Sequence, residues 1–145
     1  MQSDTPYTDE TADGAVEYVV LGGGHVGAAI AHRLHAAGWP VVLVDETYEP
    51  GDVPGIRGDP TSLPTLRAAG IPEGAVVIAA TGRDRRNLLV AQLVSSHFDV
   101  ARVRALVNTP DRRDLFTEVG HDAVCVTDAL SAAVTDGLTD EATPG

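Results

Sequence analysis

Three glycines near the amino end of the chain have the spacing of a phosphate-binding turn. Gly22, Gly24 and Gly27 fit the pattern G-x-G-x-x-G, after an apolar run and at the start of a helical one. In this pattern the first glycine permits a tight turn, the second lets a diphosphate approach the backbone, and the third lets the helix pack on the strand. The helix amino terminus then offers free N–H groups to phosphate oxygens. The turn therefore predicts a site for a phosphate-bearing ligand.

A carboxylate follows at the distance expected of a ribose-binding acid. The apolar run at residues 41–44 ends in Asp45, 23 residues after Gly22. An acid about 20 residues beyond the turn accepts hydrogen bonds from a ribose diol. Because Glu46 stands beside it and no arginine directly follows, a 2′-phosphate would be repelled, which favours NAD over NADP. The structural alternative is an ordinary βαβ unit with an incidental acid after its second strand.

Strands and helices alternate along the chain, which is typical of a doubly wound α/β fold. Apolar runs predict strands at residues 17–21, 41–44, 56–57, 75–80, 102–107 and 123–126. Helices are predicted at residues 26–37, from a cap at Thr61 or Ser62 to Ala69, from a cap at Asp84 onward, and at residues 111–119 and 128–138. We expect a Rossmann-like, six-stranded parallel sheet of order 3-2-1-4-5-6, in one domain at residues 15–138. The polar segments 1–14 and 139–145 are predicted to be disordered tails.

This sheet would bring the residues that follow its strands to one edge. Ligands of such sheets bind beyond the carboxyl ends of the strands, at the switch point between strands 1 and 4. The residues at these ends are the glycine turn, Asp45, Gly58-Asp59, Thr81-Gly82 and Asn108. Their convergence predicts a single nucleotide-binding crevice. The loop at residues 46–60 is the predicted ligand-responsive element, since its prolines and glycines allow few ladder hydrogen bonds.

The charge balance limits the classes of partner. The chain has 21 acidic and 10 basic residues, a formal net charge of −11, and every basic residue is arginine. Such a surface repels nucleic acid and anionic lipid. Excess carboxylate without lysine predicts adaptation to high salt, where self-repulsion is screened; an ordinary acidic protein is the alternative. With no apolar run near 18 residues and no signal-peptide pattern, we expect a cytoplasmic protein without direct membrane insertion.

Other reactive side chains give weaker signals. His32 and His35 lie at i and i+3 on the first helix, but nothing nearby suggests a third ligand, so no metal site is predicted. The arginines at positions 83, 85 and 86 either close over phosphates or offset the acidic surface. No Ser/His/Asp or Cys/His arrangement stands out, and little chain remains for a substrate domain, so an enzyme is not expected. An NAD-dependent oxidoreductase fragment or subunit is the alternative.

Seven segments in fixed order resemble a known family. They are the glycine turn with its strand, Val41–Asp45, Gly58–Thr61, Leu66–Ile71, Ala75–Thr81, Asn87–Gln92 and Val107–Pro110. Together they resemble the N-terminal domain of the Trk potassium-uptake regulators, also called the RCK or KTN domain, over residues 16–138. The Gly-Asp-Pro-Thr and Thr…Asn-Leu-Leu segments are not usual in dehydrogenases, so the combination is specific.

This resemblance implies a cytoplasmic nucleotide sensor that controls a membrane potassium transporter or channel at the inner face of the membrane. The implied ligand is NAD or NADH, with ATP, ADP or AMP as the alternative. The implied assembly is a homodimer, alone or within a tetramer or octamer. The implied nucleotide-binding residues are Gly22, Gly24, His25, Val26, Gly27, Asp45, Glu46, Asp59, Pro60, Thr81, Gly82 and Asn108.

Two positions depart from the family pattern. The family often has arginine at the position of His25, where it can reach a terminal phosphate; histidine is shorter and largely neutral at pH 7, which disfavours selective ATP binding. Leu106 stands where the family often has a second arginine. The family's C-terminal domain has no counterpart in this sequence, so we expect a partner chain to supply it unless the chain is a stand-alone or truncated form.

Overall fold

A computed structural model describes residues 17–138 of the chain. Its strands are β1 (Tyr18–Leu21), β2 (Val41–Asp45), β3 (Gly55–Arg57), β4 (Val76–Ala79), β5 (Arg102–Val107) and β6 (Asp122–Cys125). Its α-helices are α1 (Gly24–Ala36), α2 (Leu63–Ala69), α3 (Asp84–His97), α4 (Arg113–Glu118) and α5 (Val126–Thr135), with a 3₁₀ turn at Pro110–Arg112 before α4. The tails predicted at 1–14 and 139–145 lie outside the described residues.

The six strands form one sheet in the order β3-β2-β1-β4-β5-β6, and every neighbouring pair is parallel. This confirms the predicted Rossmann-like topology. In the central register, Leu21 of β1 pairs with Val44 of β2 on one side and with Ala79 of β4 on the other. The carboxyl ends of these strands are therefore level, and the loops that follow them leave the sheet at the same edge.

The alternation of side chains along β1 divides the core into two layers. Val19 and Leu21 pack with Leu66 of α2 and Val90 of α3 on one face of the sheet. Val20 points to the opposite face, where it packs with the α1 side. Both layers are built from fully buried aliphatic side chains, each of which contributes about 1.5–3 kcal/mol by leaving water. The central strands are thus fixed from both faces, as in other parallel sheets.

Differences from the predicted elements are confined to their ends. Ser62, and not Thr61, caps α2 by accepting a hydrogen bond from the backbone N–H of Thr65 at 3.4 Å. The last helix begins at Val126, because β6 ends at Cys125 and passes directly into α5 without the predicted connecting residues. Within residues 17–138, no helix is long and apolar enough to cross a membrane.

Candidate nucleotide-binding site

The glycine turn between β1 and α1 is held by close backbone packing. Gly22 has φ +78°, and a Cβ placed on it would lie 2.5 Å from the Thr81 methyl carbon. A Cβ on Gly27 would lie 1.9 Å from the Gly22 carbonyl oxygen, which excludes any side chain there. A Cβ on Gly24, in contrast, would meet nothing within 4 Å. Gly22 and Gly27 therefore shape the turn, while Gly24 leaves open space beside it for a ligand.

Asp45 at the end of β2 is fixed against this turn. Its Oδ1 accepts a hydrogen bond from the backbone N–H of Gly24 at 3.2 Å, and its Oδ2 accepts from the backbone N–H of Thr47 at 2.8 Å and from the Thr47 hydroxyl. Burial alone would raise the pKa of Asp45, but these hydrogen bonds, with the nearby charge of Arg86, hold it below its ordinary value of 3.8. Asp45 is therefore an ionised acceptor positioned beside the phosphate turn at neutral pH.

A cavity of about 400 Å³ lies at the switch point between β1 and β4. Seven of the twelve predicted site residues line it: Gly22, Gly24, Asp45, Glu46, Pro60, Thr81 and Gly82. Gly23, Thr47, Arg83 and Arg86 complete the lining. The strand ends that the sequence placed at one edge thus do meet in one crevice, and its floor is the glycine turn.

Arg86 on the first turn of α3 spans the mouth of this crevice. Its guanidinium donates to Asp59 Oδ1 at 2.9 Å and lies 3.5 Å from Glu46 Oε1. Asp59 Oδ1 also accepts hydrogen bonds from the backbone N–H and hydroxyl of Thr61. These bonds, followed by the charge of Arg86, lower the pKa of Asp59 despite its partial burial. The arginine therefore connects α3 with the loops that follow β2 and β3.

Behind Thr81 in the lining of the crevice lies a buried hydrogen-bond network centred on Asn87, which we call the β4–β5 wall. The Asn87 side chain is 0% exposed. The Asn87 Oδ1 accepts from the backbone N–H of Thr81 at 2.9 Å and from the Thr81 hydroxyl at 2.6 Å. Its Nδ2 donates to the carbonyl oxygens of Thr81 at 2.9 Å and Leu106 at 2.8 Å. All four hydrogen-bonding positions of the amide are used, and the end of β4 is fixed to α3 and β5.

Asp84 and Asn108 extend this wall at the end of β5. The Asp84 carboxylate accepts from the backbone N–H groups of Asn108 at 2.6 Å and Thr109 at 2.9 Å. Burial would raise the pKa of Asp84, but these bonds hold it below 3.8. The prediction that Asp84 caps its own helix is therefore wrong: it is the first helical residue, and its carboxylate is turned toward the next loop. The Asn108 amide bonds to Asp84 and to the Thr81 carbonyl oxygen.

The remaining predicted residues lie around the crevice and not in it. His25 faces an adjoining groove of about 510 Å³ between α1 and the loop at residues 46–53. The side chain of Val26 is on the outer surface of α1, 53% exposed. That groove is the larger of the two spaces and shares Gly24, Asp45 and Thr47 with the crevice. The rest of its lining comes from α1, β2 and the loop after β2, without the β4 end that completes the crevice. The crevice therefore unites the glycine turn, Asp45 and the β4 end, and the groove does not.

Comparison with known proteins assigns this architecture to a family. The family model for the TrkA-N domain matches residues 18–127, from β1 into α5. The chain belongs to the TrkA-N domain family. This confirms the resemblance found in the sequence.

Named relatives and solved structures are similar to this TrkA-N domain. The Trk system potassium uptake protein TrkA homolog of Methanothermobacter thermautotrophicus is 34% identical over 127 residues, covering 83% of this chain and 58% of the relative. The NAD(P)-binding domain of an exopolyphosphatase-related protein from Archaeoglobus fulgidus is 26% identical with a TM-score of 0.73, covering 86% of this chain and 98% of that one. The structure of GsuK bound to ADP is 26% identical with a TM-score of 0.71; the match covers 87% of this chain and 34% of the GsuK chain. The chain spans little more than half of the curated relative.

Sequence reasoning missed several residues that shape the site of this TrkA-N domain. Gly23 is as constrained as its neighbours, with φ +103° and a Cβ position 2.6 Å from the Ala80 carbonyl oxygen. Thr47 could have been found, because a threonine two residues after an aspartate commonly bonds back to it. The roles of Arg86 and Asn87 depend on partners 40 and 19 positions away, which no local pattern reveals. Among the described residues, no three His, Cys, Asp or Glu side chains are placed to hold a metal ion.

Proposed function

We propose that this chain is the nucleotide-sensing domain of a potassium uptake system, and that its crevice binds an adenosine nucleotide. NAD or NADH is the predicted ligand, with ATP, ADP or AMP as the alternative. The observation that carries the proposal is the ionised Asp45 carboxylate, fixed beside an open glycine turn at the switch point of the sheet. A ribose diol donates to such a carboxylate while the phosphates lie on the turn and the amino end of α1.

The potassium role and the cellular location rest on the family. A relative of this chain is named a potassium uptake protein, and the chain covers 58% of it. We infer a domain at the cytoplasmic face of the membrane that acts on a transporter or channel subunit through protein contacts. We infer binding without catalysis, because the described residues that line the crevice include no Ser/His/Asp or Cys/His arrangement; its polar side chains are Asp45, Glu46, Thr47, Thr81, Arg83 and Arg86.

A sensor works by shifting populations, so the nucleotide must bind two conformations with different affinity. We propose that the loop at residues 46–60 differs between them. Within this loop the Tyr48 hydroxyl donates to the Val53 carbonyl oxygen at 2.8 Å, and Arg57 donates to the Tyr48 carbonyl oxygen at 3.0 Å. Amide hydrogen exchange should slow in this loop when nucleotide is added. Equal protection with and without nucleotide would assign the response to another segment.

We also propose that the chain forms homo-oligomers through α5. This helix has no buried residue, and Leu130 and Val134 lie one turn apart, 62% and 60% exposed. Apolar side chains at this spacing form a stripe that a second copy can cover. Sedimentation velocity should therefore report a dimer or a larger assembly that the variant Leu130→Asp reduces to a monomer. A monomeric parent protein would contradict this proposal.

Isothermal titration of the purified chain in molar KCl against NAD⁺, NADH, ATP, ADP and AMP tests the nucleotide site. Asp45→Ala should weaken binding of every nucleotide about 10- to 100-fold, because each lost hydrogen bond to a charged group is worth about 1.5–3 kcal/mol. Asp114→Ala is the matched control, since it removes one exposed carboxylate from α4 outside the crevice. Equal affinities for parent and Asp45→Ala would reject this ribose site, and no binding of any nucleotide would reject the sensor.

A further inference from the structure

A second cavity, of about 560 Å³, continues from the crevice along the ends of β4 and β5. The two spaces share Gly82, Arg83 and Arg86 in their walls. Arg85 and Arg112 also line the second cavity, so four arginines contribute to its walls. Four of the ten basic residues of a chain with net charge −11 therefore surround one space beside the phosphate turn.

The positive charge of these four arginines is only partly balanced by acidic side chains of residues 17–138. Arg86 is paired with Asp59 and Glu46, but Arg83, Arg85 and Arg112 form no ion pair with any other residue in the range 17–138. The one acid in the lining is Asp84, whose carboxylate is 5% exposed and already accepts the backbone N–H groups of Asn108 and Thr109. Like charges gathered without an acidic partner among residues 17–138 repel one another, and an anion that enters between them relieves this repulsion.

We propose that Arg83, Arg85 and Arg112 form an anion subsite for the terminal phosphates of a nucleoside di- or triphosphate. The subsite rests on the proposed function, since the adenosine would lie in the crevice with its ribose on Asp45. The phosphate chain then leaves the glycine turn past Gly82 and enters the arginine-lined cavity. Guanidinium groups suit this task because they pair with phosphate oxygens through two parallel hydrogen bonds.

The subsite decides between the two ligand classes. In NAD⁺ the diphosphate is followed by a ribose that carries a positively charged nicotinamide ring, which the three arginines repel. In NADH the ring is uncharged and offers the arginines no anion to pair with. In AMP nothing extends beyond the first phosphate, so the subsite stays unused. The inference therefore favours ATP and ADP over the dinucleotide as the ligand of this chain.

Titration of ATP, ADP, AMP, NADH and NAD⁺, without divalent cations, tests the subsite with the double variant Arg83→Gln/Arg112→Gln. The parent should bind ATP at least tenfold more tightly than AMP. The double variant should lose about tenfold in ATP affinity for each arginine and less than threefold for AMP. The matched control is Arg33→Gln/Arg67→Gln, which removes two exposed arginines outside both cavities and also changes the net charge from −11 to −13. Thermal unfolding of both variants checks that they fold.

The outcomes separate the subsite from the nucleotide site itself. Equal affinity for ATP and AMP, or an equal loss of ATP binding in the control, would overturn the subsite while the crevice stands. NADH binding more tightly than ATP, and unchanged in the double variant, would also overturn it. If no nucleotide binds, the proposed function fails, and titration with inorganic tripolyphosphate then tests whether the arginines bind an anion on their own. Binding that is lost in Arg83→Gln/Arg112→Gln would support an anion site independent of nucleotides, and its absence would overturn the subsite.

Discussion

The two halves of the crevice hold their polar groups in different ways. In the half built by β1 and β2, Asp45 takes its hydrogen bonds from the glycine turn and from Thr47, an exposed residue two positions away. In the half built by β4 and β5, Asn87 is fully buried and joins Thr81 to the Leu106 carbonyl oxygen. The first half presents groups to a ligand, while the second fixes three elements to one another.

This difference separates binding from stability. A buried hydrogen-bonding group that loses its partner costs about 1–3 kcal/mol, whereas an exposed one can bond to water instead. Substitutions of exposed groups in the β1–β2 half, such as Thr47, should therefore change nucleotide affinity more than folding, whereas Asp45 is itself buried and its loss should affect both. Substitutions in the β4–β5 half should change folding first. A sensor benefits from this division, because one wall of the site stays rigid while the other responds to the ligand.

The largest expected effect concerns the glycine turn. This turn belongs to the β1–β2 half, but its backbone is so closely packed that a substitution there should affect folding. Gly27→Ala places a Cβ 1.9 Å from the Gly22 carbonyl oxygen, so it should destabilise the fold by about 3 kcal/mol or more. Gly24→Ala meets no atom within 4 Å and has only its φ of +53° to accommodate, at about 1 kcal/mol. Urea unfolding should rank the variants in this order, and titration should show that Gly24→Ala folds but binds nucleotide poorly.

Asn87→Ala should give the next largest loss, and it addresses the β4–β5 half directly. It leaves the Thr81 backbone N–H and the Thr81 and Leu106 carbonyl oxygens without their partner in the core. We expect about 2–3 kcal/mol of destabilisation in urea unfolding. Ser96→Ala, at an exposed position of the same helix, serves as the control and should change stability by less than about 0.5 kcal/mol. Stability retained in Asn87→Ala would show that the β4–β5 wall is not fixed by this amide.

The contrast between the two halves also explains which residues of the site could be predicted from the sequence. The glycine turn and Asp45 were found because their spacing along the chain reflects a chemical task. The sheet order followed from the alternation of elements, and even the short β3 was located by its flanking glycines. Asp59 and Glu46 were predicted as site residues, and Arg86 was singled out for a role at phosphates, but the ion pairs that join the three were not predicted.

The β4–β5 wall could not be predicted in the same way. Asn87 bonds to the Leu106 carbonyl oxygen, and every residue has a carbonyl, so nothing in position 106 marks it as a partner. Asp84 begins a helix, where an aspartate usually caps its own N–H groups. Here the β5 end lies close enough for the carboxylate to accept two N–H groups of the next loop instead. Only the packed sheet determines which of these two bonds forms.

The same change, threonine to valine, can be made in both halves of the crevice, and its expected effects on the free energy of unfolding are smaller. Thr81→Val removes a buried hydroxyl that donates to Asn87 and also accepts the Arg83 backbone N–H. It should destabilise the fold by about 1–2 kcal/mol. Thr47→Val removes an exposed hydroxyl from Asp45 but leaves the backbone N–H bond in place, so the loss should be about 0.5 kcal/mol or less. Equal losses in urea unfolding would remove the distinction between the two halves.

A further small effect is expected in the pH dependence of the stability that Asp84 contributes. Its pKa is below 3.8 in the folded chain, so its stabilising contribution is present above pH 3.8 and is lost as the pH falls from 3.8 toward the folded value. Asp84→Asn should therefore cost about 1 kcal/mol at pH 7, where the ionised carboxylate accepts two N–H groups, and less at pH 3. Denaturant unfolding of parent and variant at both pH values measures the difference. The gap between the two proteins should narrow in acid, because protonation removes from the parent what the substitution has already removed from the variant. A gap that stays constant would mean that Asp84 supports the β5 end through its shape and not through its charge.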